Sequence, residues 1–160
     1  MDIVTALKQY KAYNEQEEHD KEVMLHLLET MPDIFERENE TAHFTASSWL
    51  LNKEHDKVLL IYHNIYHSWS WTGGHADGEK DLLTVAKREA MEETGVTDIR
   101  AITDDIFSIE ILTVDGHIKR GSYVPSHLHL NVTYLLEADE KEVGTTSHHC
   151  SHPVLCEALP

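Results

Sequence analysis

Gly73-Gly74-His75-Ala76-Asp77-Gly78-Glu79-Lys80-Asp81-Leu82-Leu83-Thr84-Val85-Ala86-Lys87-Arg88-Glu89-Ala90-Met91-Glu92-Glu93-Thr94-Gly95-Val96 sets a glycine-rich segment ahead of a carboxylate-bearing helix. At roughly 100° per residue, Leu83, Ala86 and Ala90 share one stripe, the spacing of a core-facing helix. Glu89, Glu92 and Glu93 fall together beside that stripe, at helical offsets that converge their carboxylates on one patch. Each like-charged pair costs only about 0.2–0.5 kcal/mol on an exposed helix, so the patch alone fits either a solvated acidic face or a site. The residues ahead of it add information. Val58-Leu59-Leu60-Ile61-Tyr62 reads as a strand, and Gly73-Gly74 and Asp77-Gly78 permit a sharp backbone path, so strand, glycine loop and helix follow one another.

Several carboxylates with a loop carbonyl suit Mg²⁺ or Mn²⁺, hard cations that take oxygen ligands and bind substrate phosphates. The same residues resemble the signature of the Nudix hydrolases, a Gly, a Glu, an Arg-Glu pair, a Glu-Glu pair and a Gly at fixed intervals. Gly74, Arg88-Glu89, Glu92-Glu93 and Gly95-Val96 match it. The family's first Glu falls on Lys80, with Glu79 one place early, so the loop is nonstandard. The resemblance implies a metal set of Gly74, Glu89, Glu92 and Glu93. It also implies catalytic roles for Arg88, Glu89 and Glu93, with Glu89 or a neighbouring Glu as base and Arg88 orienting Glu89 or contacting phosphate.

Working outward, residues 2–31 read as helix, with Ile3, Leu7 and Tyr10 on one stripe and Val23, Met24, Leu27, Leu28 and Met31 on another. The acidic stretch Asn14 to Asp20 is expected to separate two helices or two faces, and Pro32 ends the unit. Strands are expected over 44–51 and 57–63, joined by a hairpin loop, and then over 99–102, 106–114 and 127–137. In the last, Leu128, Leu130, Val132 and Tyr134 alternate with His129, Asn131 and Thr133, which predicts one buried face. Asp115-Gly116 reads as a hairpin turn followed by a loop through Pro125. This order is mixed α and β, and the resemblance implies an α/β/α sandwich around a mixed sheet. The expected division is an N-terminal helical extension at 1–35, a Nudix domain at 40–140, and an irregular, truncated or foreign tail at 141–160.

The chain of 160 residues suits one domain. No apolar run approaches the roughly 20 residues that span a bilayer, and the N-terminus lacks a signal-peptide pattern. Cys150 and Cys156 make no disulfide framework, so a reducing compartment, the cytoplasm, is expected. A net charge of −16 from 29 acidic and 13 basic residues argues against nucleic acid as a partner. The 13 histidines show no helical i, i+4 pair, and metal binding by them is not expected.

Three other features bear on a site. Trp69 or Trp71 could stack on a base or pack in the core, and Glu110 could reach the carboxylate patch as ligand or base. A tail His/Cys site at 148–156 matches no zinc spacing. By resemblance, the expected function is metal-dependent pyrophosphohydrolysis of a small-molecule nucleoside diphosphate derivative, with a homodimer open to it and no membrane partner. A catalytically silent nucleotide sensor is the alternative. An isoprenoid diphosphate isomerase would need an active-site cysteine, and both cysteines lie in the tail.

Overall fold

Alternation along the chain is what selects the central layer. In β1 (Ala42–Asn52) and β9 (His127–Ala138), even-numbered Ala42, Phe44, Ala46, Leu50, Leu130, Val132, Tyr134 and Leu136 are buried in one apolar cluster. The two strands run parallel in continuous register, from Ala42 opposite Leu128 to Asn52 opposite Ala138. A computed structural model of the chain describes residues 1–63, 67–119, 121–142 and 150–157.

β2 (Lys57–His63) folds back antiparallel on β1 through the expected hairpin loop, where Asn52 Oδ1 accepts from the amides of Asp56 and Lys57 at 3.1 and 3.0 Å. β3 (Ser68–Ser70) pairs antiparallel with β2, and β4 (Thr72–His75) pairs antiparallel with β1. After α3 (Leu82–Thr94), β5 (Ile99–Ala101) and β6 (Ser108–Val114) both pair antiparallel with β9. The result is a mixed α/β molecule around a mixed sheet.

The N-terminal helices belong to the same core. α1 (Ile3–Gln9) and α2 (Glu15–Thr30) place Ile3, Leu7 and Met24 in the cluster, and Phe35 stacks on Phe44 at 5.1 Å. Buried Glu17 ties the two helices, accepting from Tyr10 Oη at 2.9 Å and from the Tyr13 amide at 2.6 Å. α2 ends at Thr30 ahead of Pro32, as expected.

Four expectations are corrected. Asn14 to Asp20 does not separate the helices: Asn14 caps α2, accepting from the Glu17 amide at 2.9 Å, and the glutamates that follow suit the positive end of the helix. Gly73 and Gly74 stand in a strand, opposite Ser47 and Ala46, and not in a free loop. A Cβ at Gly73 would come within 2.5 Å of Ser47 Oγ, so glycine is what permits that pairing. Asp115-Gly116 is a connection, and the segment read as loop carries its own hairpin, β7 (His117–Lys119) with β8 (Ser122–Val124). The tail, expected to lack a strand, forms β10 (Cys150–Glu157) antiparallel to β2, with a register shift between Ser151 and Val154 around Pro153, which has no amide hydrogen to give. The His148 and His149 part of the proposed tail cluster lies outside the described residues.

Candidate active site

The turn from β4 into α3 is held from three sides. Asp77 and Gly78 both take positive φ, at 51° and 84°, which Asp tolerates and Gly favours. The amide of Ala76 donates to Phe44 O at 3.1 Å and that of Gly78 to Phe35 O at 3.0 Å. Asp81 then caps α3, accepting from Thr84 Oγ1 at 2.7 Å, and Gly95 closes the helix in the left-handed region at φ 74°. Leu82, Val85, Ala86, Ala90 and Thr94 are the buried positions, while Leu83 is only partly covered.

That helix face sets Glu89 and Glu93 beneath β4. Glu89 Oε1 accepts from Arg88 Nη2 at 2.9 Å and from Nε at 3.3 Å, and Arg88 Nη2 also donates to His75 O at 3.0 Å. A Cβ at Gly74 would lie 2.2 Å from Glu89 Oε2, so the carboxylate sits in a space that only glycine leaves open. Burial pushes the Glu89 carboxyl above its ordinary value; the Arg88 fork opposes the shift, and the nearby Glu92 and Asp77 charges add to it. Glu93 Oε2 accepts from the Gly73 amide at 3.0 Å. Glu92 is exposed on the same helix.

The loop is braced differently from what the signature suggests. Glu79 turns to the helix start, accepting from the Asp81 amide at 2.9 Å, and Lys80 is exposed. Arg37 instead grips Asp77 through both Nε and Nη2. The hydrogen bonds from Arg37 hold the Asp77 carboxyl below the usual carboxylate range. Nothing near Arg37 in sequence marks this role, since its partner lies 40 residues away.

Glu110 accepts from Asn131 Nδ2 at 3.1 Å; Asn131 Oδ1 accepts in turn from Thr45 Oγ1 at 3.0 Å and Ser47 Oγ at 2.8 Å. Glu110 is therefore tied into that polar network of the sheet. Trp71 lies against Trp49 at 5.8 Å, and Trp69, 49% exposed, meets Tyr62 edge-on at 5.3 Å.

Four of the histidines, scattered in sequence, come together across the sheet. His43 of β1, His75 of β4 and His129 of β9 bring one ligand nitrogen each within 4.8 Å of the others. His43 and His129 are direct register partners, and the ring of His127 lies 4.9 Å from that of His43. Burial, with Arg37 and His43 adding, lowers the His75 pKa to about 4. Burial, with His75 and His43 adding, lowers that of His129 to about 3. His43 is lowered as well, again chiefly by burial. Strand register makes the cluster, and sequence spacing carries no sign of it.

The family described as NUDIX domain matches residues 41–152. Among solved structures, a C. elegans Ap4A hydrolase binary complex is 22% identical, covers 71% of this chain and 79% of its own, and has a TM-score of 0.49. A NUDIX-family hydrolase from Clostridium perfringens is 22% identical, with 72% and 81% covered and a TM-score of 0.49. A NUDIX hydrolase from Nitrosomonas europaea is 14% identical, with 71% of each chain covered and a TM-score of 0.49. Comparison with curated proteins gives no match.

Proposed function

We propose that this chain, which belongs to the NUDIX domain family, is a divalent-metal-dependent pyrophosphohydrolase cleaving a nucleoside diphosphate linked to another moiety. One observation carries the reading: the Glu89 carboxylate lies in the space that a side chain at Gly74 would fill. A carboxylate of α3 and the backbone of β4 are thereby side by side. Glu89, Glu92, Glu93 and the Gly74 carbonyl would hold Mg²⁺ or Mn²⁺, whose preference for oxygen this set meets. When bound, such a cation neutralises charge on the phosphoryl oxygens and lowers the pKa of an attacking water.

The chain's own residues do the rest. Arg88 fixes Glu89 by bonding Oε1, which leaves Oε2 turned toward Gly74, and its second bond to His75 O joins helix to the end of β4. Glu93 tethers the β4 backbone through the Gly73 amide. Glu89, its carboxyl raised by burial, is taken as the proton acceptor for an attacking water. The unit that does this is taken as residues 40–140, with 1–35 an added helical segment packed on its core.

A silent nucleotide-binding member is the second reading, favoured by Lys80 at the signature's Glu position and by the turn of Glu79 toward the Asp81 amide. The test is a panel of nucleoside diphosphate derivatives with Mg²⁺ or Mn²⁺, monitored for phosphorylated products. Turnover of a panel member supports the enzyme; saturable binding with no product from any member supports the sensor.

A further inference from the structure

We infer that His43, His75 and His129, with His127 beside them, form a nitrogen-ligand site for a divalent transition-metal ion of the zinc type, separate from the carboxylate set on α3.

The rings come from three hydrogen-bonded strands, so their positions are set by sheet register and not by a free loop. Three offer ligand nitrogens within 4.8 Å of one another, and His127 Nε2 lies 3.2 Å from His129 Nε2. Four nitrogens around zinc at about 2.0–2.1 Å stand roughly 3.3 Å apart along the edges of the tetrahedron. One pair already has that separation. The nitrogens of His43, His75 and His129, within 4.8 Å of one another, would close to it by rotation of the imidazole, whose χ2 well is broad.

The second observation is an orphaned atom. His43 is 3% exposed, and its Nε2 has no hydrogen-bond partner, the one buried side-chain nitrogen or oxygen in that condition among the described residues. Its Nδ1 faces Asn39 O at 3.0 Å, and a carbonyl accepts, so Nδ1 carries the proton and Nε2 the lone pair. His127 is arranged alike, with Nδ1 at 2.8 Å from Pro125 O. An imidazole whose far nitrogen donates to a backbone carbonyl is the usual form of a metal-bound histidine. A bond between His127 and His129 satisfies that pair of nitrogens but leaves His43 Nε2 with nothing.

All-imidazole ligation selects zinc, copper, nickel or cobalt over Mg²⁺ and Mn²⁺. An ion here would pin His75, the residue after Gly74, to both central strands and so hold the end of β4 from which the loop departs. The inference is independent of the roles given to the α3 carboxylates.

The full chain, stripped with chelator, is titrated with Zn²⁺ in excess Mg²⁺. Because the sequence has further histidines at His148, His149 and His152, wild type is compared with the tail variant H148Q/H149Q/H152Q and with H75Q and H129Q. One equivalent is expected to bind wild type and the tail variant alike, with affinity reduced at least about 100-fold in H75Q and H129Q. Zinc should raise the thermal midpoint of wild type by roughly 5 °C and leave that of H75Q in place. Imidazole ¹⁵N spectra of wild type serve where a variant does not fold: one equivalent of zinc should move the resonances of His43, His75 and His129. Binding that disappears in the tail variant and persists in H75Q, or resonances unmoved by zinc, overturns the site.

Discussion

Glutamine at position 93 could keep the 3.0 Å bond to the Gly73 amide through its amide oxygen while losing the charge, so Glu93→Gln separates the backbone tether from metal ligation. Turnover is expected to fall at least about a hundredfold, near 2.7 kcal/mol of barrier, with melting little changed. Equal rates in variant and wild type would remove Glu93 from the proposed set. The loop supplies a second comparison: Arg37→Met should reduce activity more than Glu79→Ala, since Arg37 grips Asp77 at the positive-φ turn whereas Glu79 bonds an amide at the helix start. The opposite ranking returns the bracing role to Glu79. That Glu89, Glu92 and Glu93 share one helix was legible in the sequence because their spacing is local, three and four positions apart. Arg37 and the histidines were not, because chain reversal and sheet register bring them in from remote positions.

Elements with clean periodicity, β1, β2 and β9, could be read within a few residues of their ends, and α3 by its stripe. β4 could not, because glycine signals freedom in sequence although here it permits close strand pairing. β10 was hidden by Pro153 and by a scarcity of large apolar residues; its order comes from backbone bonds to β2 that no side-chain pattern announces. Those bonds cover the outer edge of β2. Deleting residues 150–160 is therefore expected to raise the aggregated fraction in size-exclusion chromatography and to open β2 to limited proteolysis. If instead protease removes β10 first from the intact chain and the remainder stays monomeric, the strand contributes little to that edge.

Across the whole molecule, partly buried imidazoles are expected to set the acid limit of stability. His75 and His129 have pKa values of about 4 and about 3 in the fold, below the ordinary 6.5, with Arg37, Lys119 and the other rings opposing protonation and Asp77 favouring it at His75. A depressed value means that the unfolded chain takes up protons first, so the stability is present above about pH 6.5 and is lost as pH falls toward 4. In chelator, urea midpoints should decline from pH 7 to pH 5, with a slope of up to about 2.7 kcal/mol per pH unit if both groups act. Replacing both histidines with glutamine should flatten it; an unchanged slope would assign the acid sensitivity to other groups. The parallel pairing of β1 with β9 carries a different consequence, one of timing. Thr45 and Asn131, bonded across that seam, are 86 positions apart, so during synthesis β1 leaves the ribosome long before its partner exists. Its early neighbours, β2 and β4, can protect one flank of it, but the other must wait until nearly the whole chain has emerged, which favours slow, largely post-translational folding and a window for capture by chaperones.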